Sequence, residues 1–312
     1  DDFGIFEVGM DKKGEINNLS KIIKPDVGVI TNISYAHAKN FKDIKQIALA
    51  KSEIIQNIKY GGSLVLNRDD NFYALHKKIA YKKKIKVYSF GIKSKNANIK
   101  LNNIQQFKKK FKVIVNVNNE NKCFITSSKS ENNIKNILAA VAIISIFKDI
   151  KKLNINIFDN LEVPEGRGDM TKIQIYKKKI FLVDESYNSN PLSLKLAIKN
   201  FDKIKIKNNK KHLILGDMLE LGKFSKKLHI EVSKTINATT IDSINVIGKY
   251  IKETYKNIYN NKKGLILNNT AEMISLIKNN INNNDYLMIK GSNSTGLHKL
   301  ASILKTEKIN AL

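Results

Sequence analysis

Two carboxylates, Asp184 and Glu185, stand at the end of an apolar run, Ile180 to Val183, and lead into an asparagine-rich turn and Pro191. The run reads as a buried strand and the residues after Pro191 as a helix. In open α/β sheets, ligands gather at the carboxyl ends of strands, where loops and helix N-termini converge. Carboxylates there can hold ribose hydroxyls or metal-bound water, and Asn188 and Asn190 can donate and accept at once. The plain alternative is a polar strand-to-helix turn with an N-cap.

Arginine usage sharpens the choice. Only Arg68 and Arg167 occur among the 55 basic residues. In a chain that uses lysine almost everywhere, an arginine marks a place where lysine fails, such as a planar fork gripping phosphate with two parallel bonds. Arg167 lies in PEGRGD (164–169), between two glycines that let backbone approach a ligand closely. A chance survivor on a surface loop is the competing reading.

Four further clusters carry chemistry-bearing residues. In EVGMDKKGEI (7–16), Glu7 ends a strand-like run, where a carboxylate can hold magnesium beside a nucleotide. In TNISYAHAKNF (31–41), His37 follows another strand end. ALAKSEI (48–54) places Lys51 on a helix, and GDMLELG (216–222) follows a buried strand with His229 seven residues on. Singly, each is a strand-end acid, a helix-surface lysine or a packing histidine.

The elements that must position these residues alternate. Strands are expected at 3–8, 27–31 and 63–67, and helices at 42–58 and near 70–80, an α/β alternation. Residues 86–90, 97–105, 110–117 and 122–127 look like β-hairpins with basic or asparagine-rich turns, followed by a helix from Asn132 to Phe147. Residues 148–163 read as a connector with a short amphipathic helix, and Pro164 marks the boundary. Beyond it come strands 171–176 and 180–184, then helix 191–202, strand 211–216, helix 224–237, strand 243–247 and helix 249–257. Strand 264–267, helix 270–281, strand 285–290 and helix 295–306 complete a small doubly wound sheet of Rossmann type.

In this order the clusters resemble the Mur ligases, ATP-dependent amide-forming enzymes of peptidoglycan synthesis, from Glu7 to about Leu300. GDMLELG with a later histidine, and YNSNP with a serine two residues on, look like the member that adds D-alanyl-D-alanine to UDP-N-acetylmuramoyl-tripeptide. The resemblance implies an α/β chain with an incomplete central ATPase domain over 1–163, a parallel sheet plus hairpins, and a Rossmann-like ligase domain over 164–312. It implies ATP and two magnesium ions, with Glu7, His37 and a carbamylated Lys51 as metal ligands. Asn133 and Asn136 match nucleotide-contacting asparagines, Arg167 matches an arginine reaching ATP phosphate, and Asp184/Glu185 lie where ribose is held. Tyr187, Asn188, Asn190, Ser193 and Lys290 are the expected substrate contacts, and Lys51, His37 and Arg167 the catalytic set. Asn67 and Asp70 in LNRDD match a family pattern of less definite role.

The sequence also departs from the family pattern. A glycine-rich GKT/S phosphate loop is absent from the chain, and the resemblance places it and a UDP-sugar domain upstream of Asp1. The chain alone is therefore expected not to turn over ATP. SENN (130–133) puts Asn132 where the family has histidine, KGSN (290–293) puts Asn293 where it has arginine, and Glu185 stands for aspartate. Lys290 or His298 would have to compensate at the dipeptide.

Composition bounds the alternatives. A formal charge of +27 invites a nucleic-acid reading, yet lysine is raised everywhere and confined to no segment, as a compositional bias would produce. No specific nucleic acid is expected. The single cysteine, Cys123, excludes an internal disulfide framework and suits a reducing compartment such as the cytoplasm. The longest apolar run, Ile137 to Phe147, falls short of the roughly 20 residues a membrane helix needs. His76, His212 and His298 lack metal-ligand spacing and read as surface or packing residues, and His229 as a core or supporting histidine. A monomer is expected. Another Mur-type or folylpolyglutamate-type amide ligase is the near alternative, and a non-catalytic anion-binding module the distant one.

Overall fold

A computed structural model describes residues 2–161 and 164–306. The expected boundary falls at residues 162–163, which lie outside the described residues, as do Asp1 and 307–312. The described residues form two compact units, one of 2–33 and 40–161, the other of 34–39 and 164–306.

The first unit runs α1 (Glu15–Ile23), β1 (Val27–Ile30), α2 (Ile44–Lys51), β2 (Ser63–Asn67), α3 (Tyr73–Lys82), β3 (Lys86–Gly91), β4 (Ile99–Phe107), β5 (Lys110–Val117), β6 (Glu120–Thr126) and α4 (Glu131–Phe147). Its six-stranded sheet keeps chain order from β1 to β6. β1 to β4 are joined in parallel and β4, β5 and β6 form an antiparallel meander. α4 is the central helix, with Ile134, Ile137, Leu138 and Val141 packed on Val65, Phe90, Val113 and Phe124.

Four expectations are corrected in this unit. Residues 3–8 form no strand, and Phe3, Ile5 and Phe6 are exposed, Ile5 to 98%. Apolar pattern alone does not make a strand. The backbone must find a ladder, and β1 at the sheet edge pairs only with β2. The helix expected over 42–58 is α-helical only to Lys51 and continues as a 3-10 helix over Ser52–Asn57. β3 meets β4 in parallel, so only the later three strands are hairpins. Helix α1, unforeseen, carries two asparagines and β-branched residues, which are modest helix formers. Its N-terminus is capped from afar: the N–H groups of Gly14 and Asn17 donate to the Glu53 carboxylate at 2.9–3.1 Å.

The second unit runs β7 (Asp169–Ile175), β8 (Lys178–Asp184), α5 (Pro191–Asp202), β9 (Lys211–Gly216), α6 (Ser225–Asn237), β10 (Ser243–Ile247), α7 (Lys252–Asn257), β11 (Lys263–Leu267), α8 (Thr270–Asn280), β12 (Tyr286–Lys290) and α9 (Leu297–Lys305). The sheet order is β11-β10-β9-β12-β8-β7, parallel except for the antiparallel edge strand β7. α5 and α6 cover one face through Leu194, Phe201, Leu228 and Val232, and α8 and α9 cover the other through Met273, Leu276, Leu300 and Leu304. The fold is doubly wound. The chain passes from β8 to β9, works outward, and returns to insert β12 between them. The carboxyl ends of β8, β9 and β12 are therefore the switch point at which such sheets bind ligands.

Candidate functional site

Three strand ends meet in the second unit. β8 ends at Asp184, β9 at Gly216 and β12 at Lys290. Asp184 is buried: the Ser186 N–H and hydroxyl donate to its Oδ1 at 3.0 and 2.5 Å, and Lys305 Nζ lies 2.6 Å from Oδ2. Glu185 turns the other way, its Oε2 being 3.2 Å from Lys290 Nζ. Lys290 is only 2% exposed and donates also to the carbonyls of Glu185 (3.3 Å) and Asn188 (3.0 Å). An ammonium has three donors, and these three bonds use them. Burial pushes the Lys290 pKa down, against the pull of Glu185. Lys290, expected at the substrate, is thus occupied in holding the 185–188 turn.

The PEGRGD loop lies on that turn. Gly166 and Gly168 have φ of +73° and +100°, and a Cβ at Gly166 would meet Tyr187 N at 2.9 Å. Glycine is required for both reasons. The Tyr187 N–H donates to Gly166 O, the Gly168 N–H donates to Asp184 O, and Arg167 stacks on the Tyr187 ring with its guanidinium carbon 4.3 Å from the centroid. Among the described residues no carboxylate pairs with Arg167. Asn188 is exposed, its Oδ1 accepting the Ser189 N–H at 2.7 Å. Asn190 and Ser193 form a reciprocal capping box at the start of α5, which Pro191 opens. The plain N-cap reading describes those two residues. Asn293 donates to the Tyr187 carbonyl at 3.3 Å, and His298 contacts the Asn293 carbonyl.

GDMLELG is a braced loop. Both oxygens of Asp217 accept backbone N–H groups, from Lys249 (3.0 Å) and Ile251 (2.7 Å), and Ser292 donates its N–H to Asp217 O while accepting the Leu219 N–H. The Met218 N–H donates to His229 Nε2 at 3.1 Å, so the neutral ring carries its proton on Nδ1 and donates to Ser225 O at 2.8 Å. His229 is fully buried, and burial lowers its pKa. His37, in the 34–39 segment of this unit, takes a left-handed φ of 55° and sets Nδ1 2.7 Å from Glu220 Oε2 of the same loop. Lys39 adds a bond from its N–H to Glu220 O.

In the first unit Lys51 is the last residue of α2 and half-buried. Burial lowers its pKa, and the Glu7 carboxylate opposes that shift. Glu7 itself is exposed and on no strand. His76, buried, donates from Nε2 to Ala48 O at 3.0 Å, bracing α2 one turn before Lys51. Asn133 and Asn136 lie three residues apart at the start of α4. The Asn133 amide donates to Thr126 Oγ1 and Ser128 O, while Asn136 is exposed. Asn67 and Asp70 shape the turn after β2, Asn67 accepting the Asp69 N–H and Asp70 those of Ile33 and Phe72. The other expected packing residue, His212, meets Asp285 at 3.2 Å where β9 and β12 begin, at the opposite end of the sheet from the site.

Sequence reasoning overlooked Lys305, Asp217 and Ser292. Asp217 and Ser292 sit inside motifs it had singled out, GDMLELG and KGSN. Lys305 gives no local signal in a lysine-rich chain. No helix among the described residues is long and apolar enough to cross a membrane.

Comparison with known proteins places these features. The pattern of the Mur ligase middle domain matches residues 1–144, and that of the Mur ligase, glutamate ligase domain, matches residues 170–293. The UDP-N-acetylmuramoyl-tripeptide–D-alanyl-D-alanine ligase of Rickettsia prowazekii is 30% identical over 308 residues, covering 96% of this chain and 65% of the relative. The chain thus spans just under two thirds of that relative's length. Two solved structures share the fold. One is MurF from Acinetobacter baumannii, with TM-score 0.81 and 24% identity over 96% of this chain and 63% of that one. The other is MurF from Thermotoga maritima in complex with ADP, with TM-score 0.81 and 21% identity over 98% of this chain and 67% of that one.

Proposed function

Because the chain belongs to the Mur ligase family, we propose that it is the ATP-binding and C-terminal part of a ligase that joins D-alanyl-D-alanine to UDP-N-acetylmuramoyl-tripeptide in the cytoplasm, building peptidoglycan. The observation that carries this reading is the match of nearly the whole chain to a relative of that name. In it, residues 1–163 serve the nucleotide and 164–312 the ligase chemistry. Asn133, Asn136 and Glu185 contact the nucleotide. Arg167 meets its phosphates, and Tyr187 and Asn188 line the acceptor side. Asp184, Asn190, Ser193 and Lys290 act one step back, by holding that turn in place.

The reaction would activate the tripeptide carboxylate by transfer of the γ-phosphoryl group of ATP. The dipeptide amine would then attack the acyl carbon, form a tetrahedral intermediate and expel phosphate while losing a proton. Such chemistry depends on positioning and charge neutralisation more than on a protein nucleophile. Arg167 would supply positive charge from the protein.

Magnesium fits the residues of the first unit. Glu7 offers hard oxygen atoms beside Lys51, whose burial favours the neutral amine that carbon dioxide would convert to a carbamate. Glu7, His37 and carbamylated Lys51 are the proposed ligands, and the ions would neutralise phosphate charge when bound.

The test is ligation by the natural full-length protein. Product mass must show the dipeptide added, with ADP released. Glutamate accepted in place of the dipeptide would move the assignment to another branch of the family.

A further inference from the structure

Arg167 is surrounded by acids. Glu165 and Asp169 flank it in the loop, and Asp184 and Glu185 end the strand beneath. Guanidinium and carboxylate planes pair readily with two parallel bonds, so the arginine would be expected to be spent on one of them. Instead each acid has a lysine. Lys305, the last residue of α9, sets Nζ 2.6 Å from Asp169 Oδ2, 2.6 Å from Asp184 Oδ2 and 3.3 Å from Glu165 Oε1. The remaining oxygens of the two aspartates are filled as well, Asp169 Oδ1 by the Gly166 N–H at 2.8 Å and Asp184 Oδ1 by Ser186. Lys290 takes Glu185. Arg167 is left against the Tyr187 ring, at 4.3 Å.

We propose that Lys305 is a positioning residue which, with Lys290, claims the carboxylates around Arg167 so that the guanidinium stays unpaired and presented to an incoming di- or triphosphate. The step from an unpaired Arg167 to phosphate binding rests on the proposed function; the partition of charge does not. Lys305 is well suited to the task. Its side chain is 15% exposed, so solvent screens these contacts less than it would on an open surface. The hydrogen bonds from Asp169 and Asp184 hold its pKa above the usual lysine value, against the cost of burial, so it stays charged. In the last turn of α9 it also faces the negative end of the helix dipole.

The arginine count makes the idea measurable. With only Arg68 and Arg167 in the chain, arginine-selective isotope labelling yields two side-chain Nε–Hε signals. Arg68, 5.1 Å above the Tyr73 ring, is the internal control, and Tyr187→Leu identifies the Arg167 signal by removing its ring-current shift. Lys305→Gln should move the Arg167 signal toward that of a carboxylate-bound guanidinium, leave Arg68 in place, and weaken tripolyphosphate binding about tenfold. Adding Asp169→Asn and Asp184→Asn, which remove the released charges while keeping both Oδ1 acceptors, should restore the Arg167 position and the affinity. An Arg167 signal unmoved by Lys305→Gln overturns the proposal. So does a displaced signal that the two asparagines fail to restore, since loss of simple packing would not be rescued. Should Lys305→Gln alone not fold, the triple variant decides, because it must place Arg167 as in the wild type. If Arg167 obeys all of this but neither ADP nor tripolyphosphate shifts it, charge partition stands and the phosphate role in the proposed function falls.

Discussion

The two units present their chemistry-bearing residues in opposite ways. In the first, one lysine amine, Lys51, is pressed out of water with the Glu7 carboxylate as its opposing charge, and burial dominates. In the second, four carboxylates are matched to Lys290 and Lys305, and one arginine is left over. A desolvated amine kept toward its neutral form is suited to change chemical state. A saturated network of charges is suited to hold one pattern fixed while a ligand arrives. The contrast suggests that the first cluster supplies the reactive change and the second supplies preorganisation. It can be broken from either side.

The largest effect is expected at Lys51. Lys51→Ala in the full-length protein should lower ligation by at least about a hundredfold, the scale seen when one electrostatic contact to a transition state is removed. Lys51→Arg should do no better, because a guanidinium cannot form the carbamate. Rates near wild type in steady-state assays would remove Lys51 from the chemistry and with it the contrast between the units. Next comes Lys290→Met. Cutting one partner from a buried ion pair leaves Glu185 and two carbonyls without their donor, at a cost of about 3 kcal/mol. Amide hydrogen exchange should show the loss in β8 and β12 and spare the first unit. Unchanged protection there would mean that the network is decoration.

How much of this could be read from the chain depends on the range over which each signal acts. The second sheet was legible because its strands are short apolar runs separated by helices of the right length, so the alternation alone implies crossovers and a switch point. Its strand-end residues followed from position. The segment 3–8 misled because apolar residues mark a strand only where a neighbour offers a ladder, and the neighbour is not encoded locally. Helix α1 was hidden for the converse reason, since its cap, Glu53, comes from 36–39 residues away. Asn190, Ser193 and Lys290 were legible as important and misread in role: a capping asparagine and a ligand asparagine look alike in sequence. Lys305 was invisible, since lysine carries no information where nearly every tenth position has one.

A smaller effect separates the units by pH. His229 is neutral in the fold because burial lowers its pKa from 6.5, so the unfolded chain binds more protons as pH falls past that value. Stability is therefore full above 6.5 and is lost progressively below it, until the folded ring also titrates. Burial lowers the pKa of His76 in the first unit too. The consequences differ in kind. Protonated His76 still donates from Nε2 to Ala48 O, whereas protonated His229 presents an N–H to the N–H of Met218 and must give up that bond. Acid should then loosen GDMLELG before it loosens α2. His229→Leu should cost about 2 kcal/mol at neutral pH by orphaning the Met218 N–H and the Ser225 carbonyl, and should flatten the acid limb of the second unit. Exchange rates that rise equally in both regions between pH 7 and 5 would count against this.

The smallest effect tests whether the turn after β8 touches ligand through every polar residue or only through some. Asn190 caps α5 by accepting the Ser193 N–H at 2.9 Å, and Ser193 returns the bond to the Asn190 N–H at 3.1 Å. Asn190→Ala should therefore cost about 1 kcal/mol, the usual value of a lost N-cap, visible as a lowered melting temperature. Asn190→Asp and Asn190→Ser, which also cap, should recover most of it. Asn188, exposed at the same turn, should behave in the reverse manner, with Asn188→Ala leaving stability unchanged and raising KM for the acceptor. If Asn190→Ser keeps the fold but loses as much activity as Asn190→Ala, the side chain serves the substrate as well as the helix. The second unit would then share its ligand contacts with its own scaffold more closely than the network around Arg167 implies.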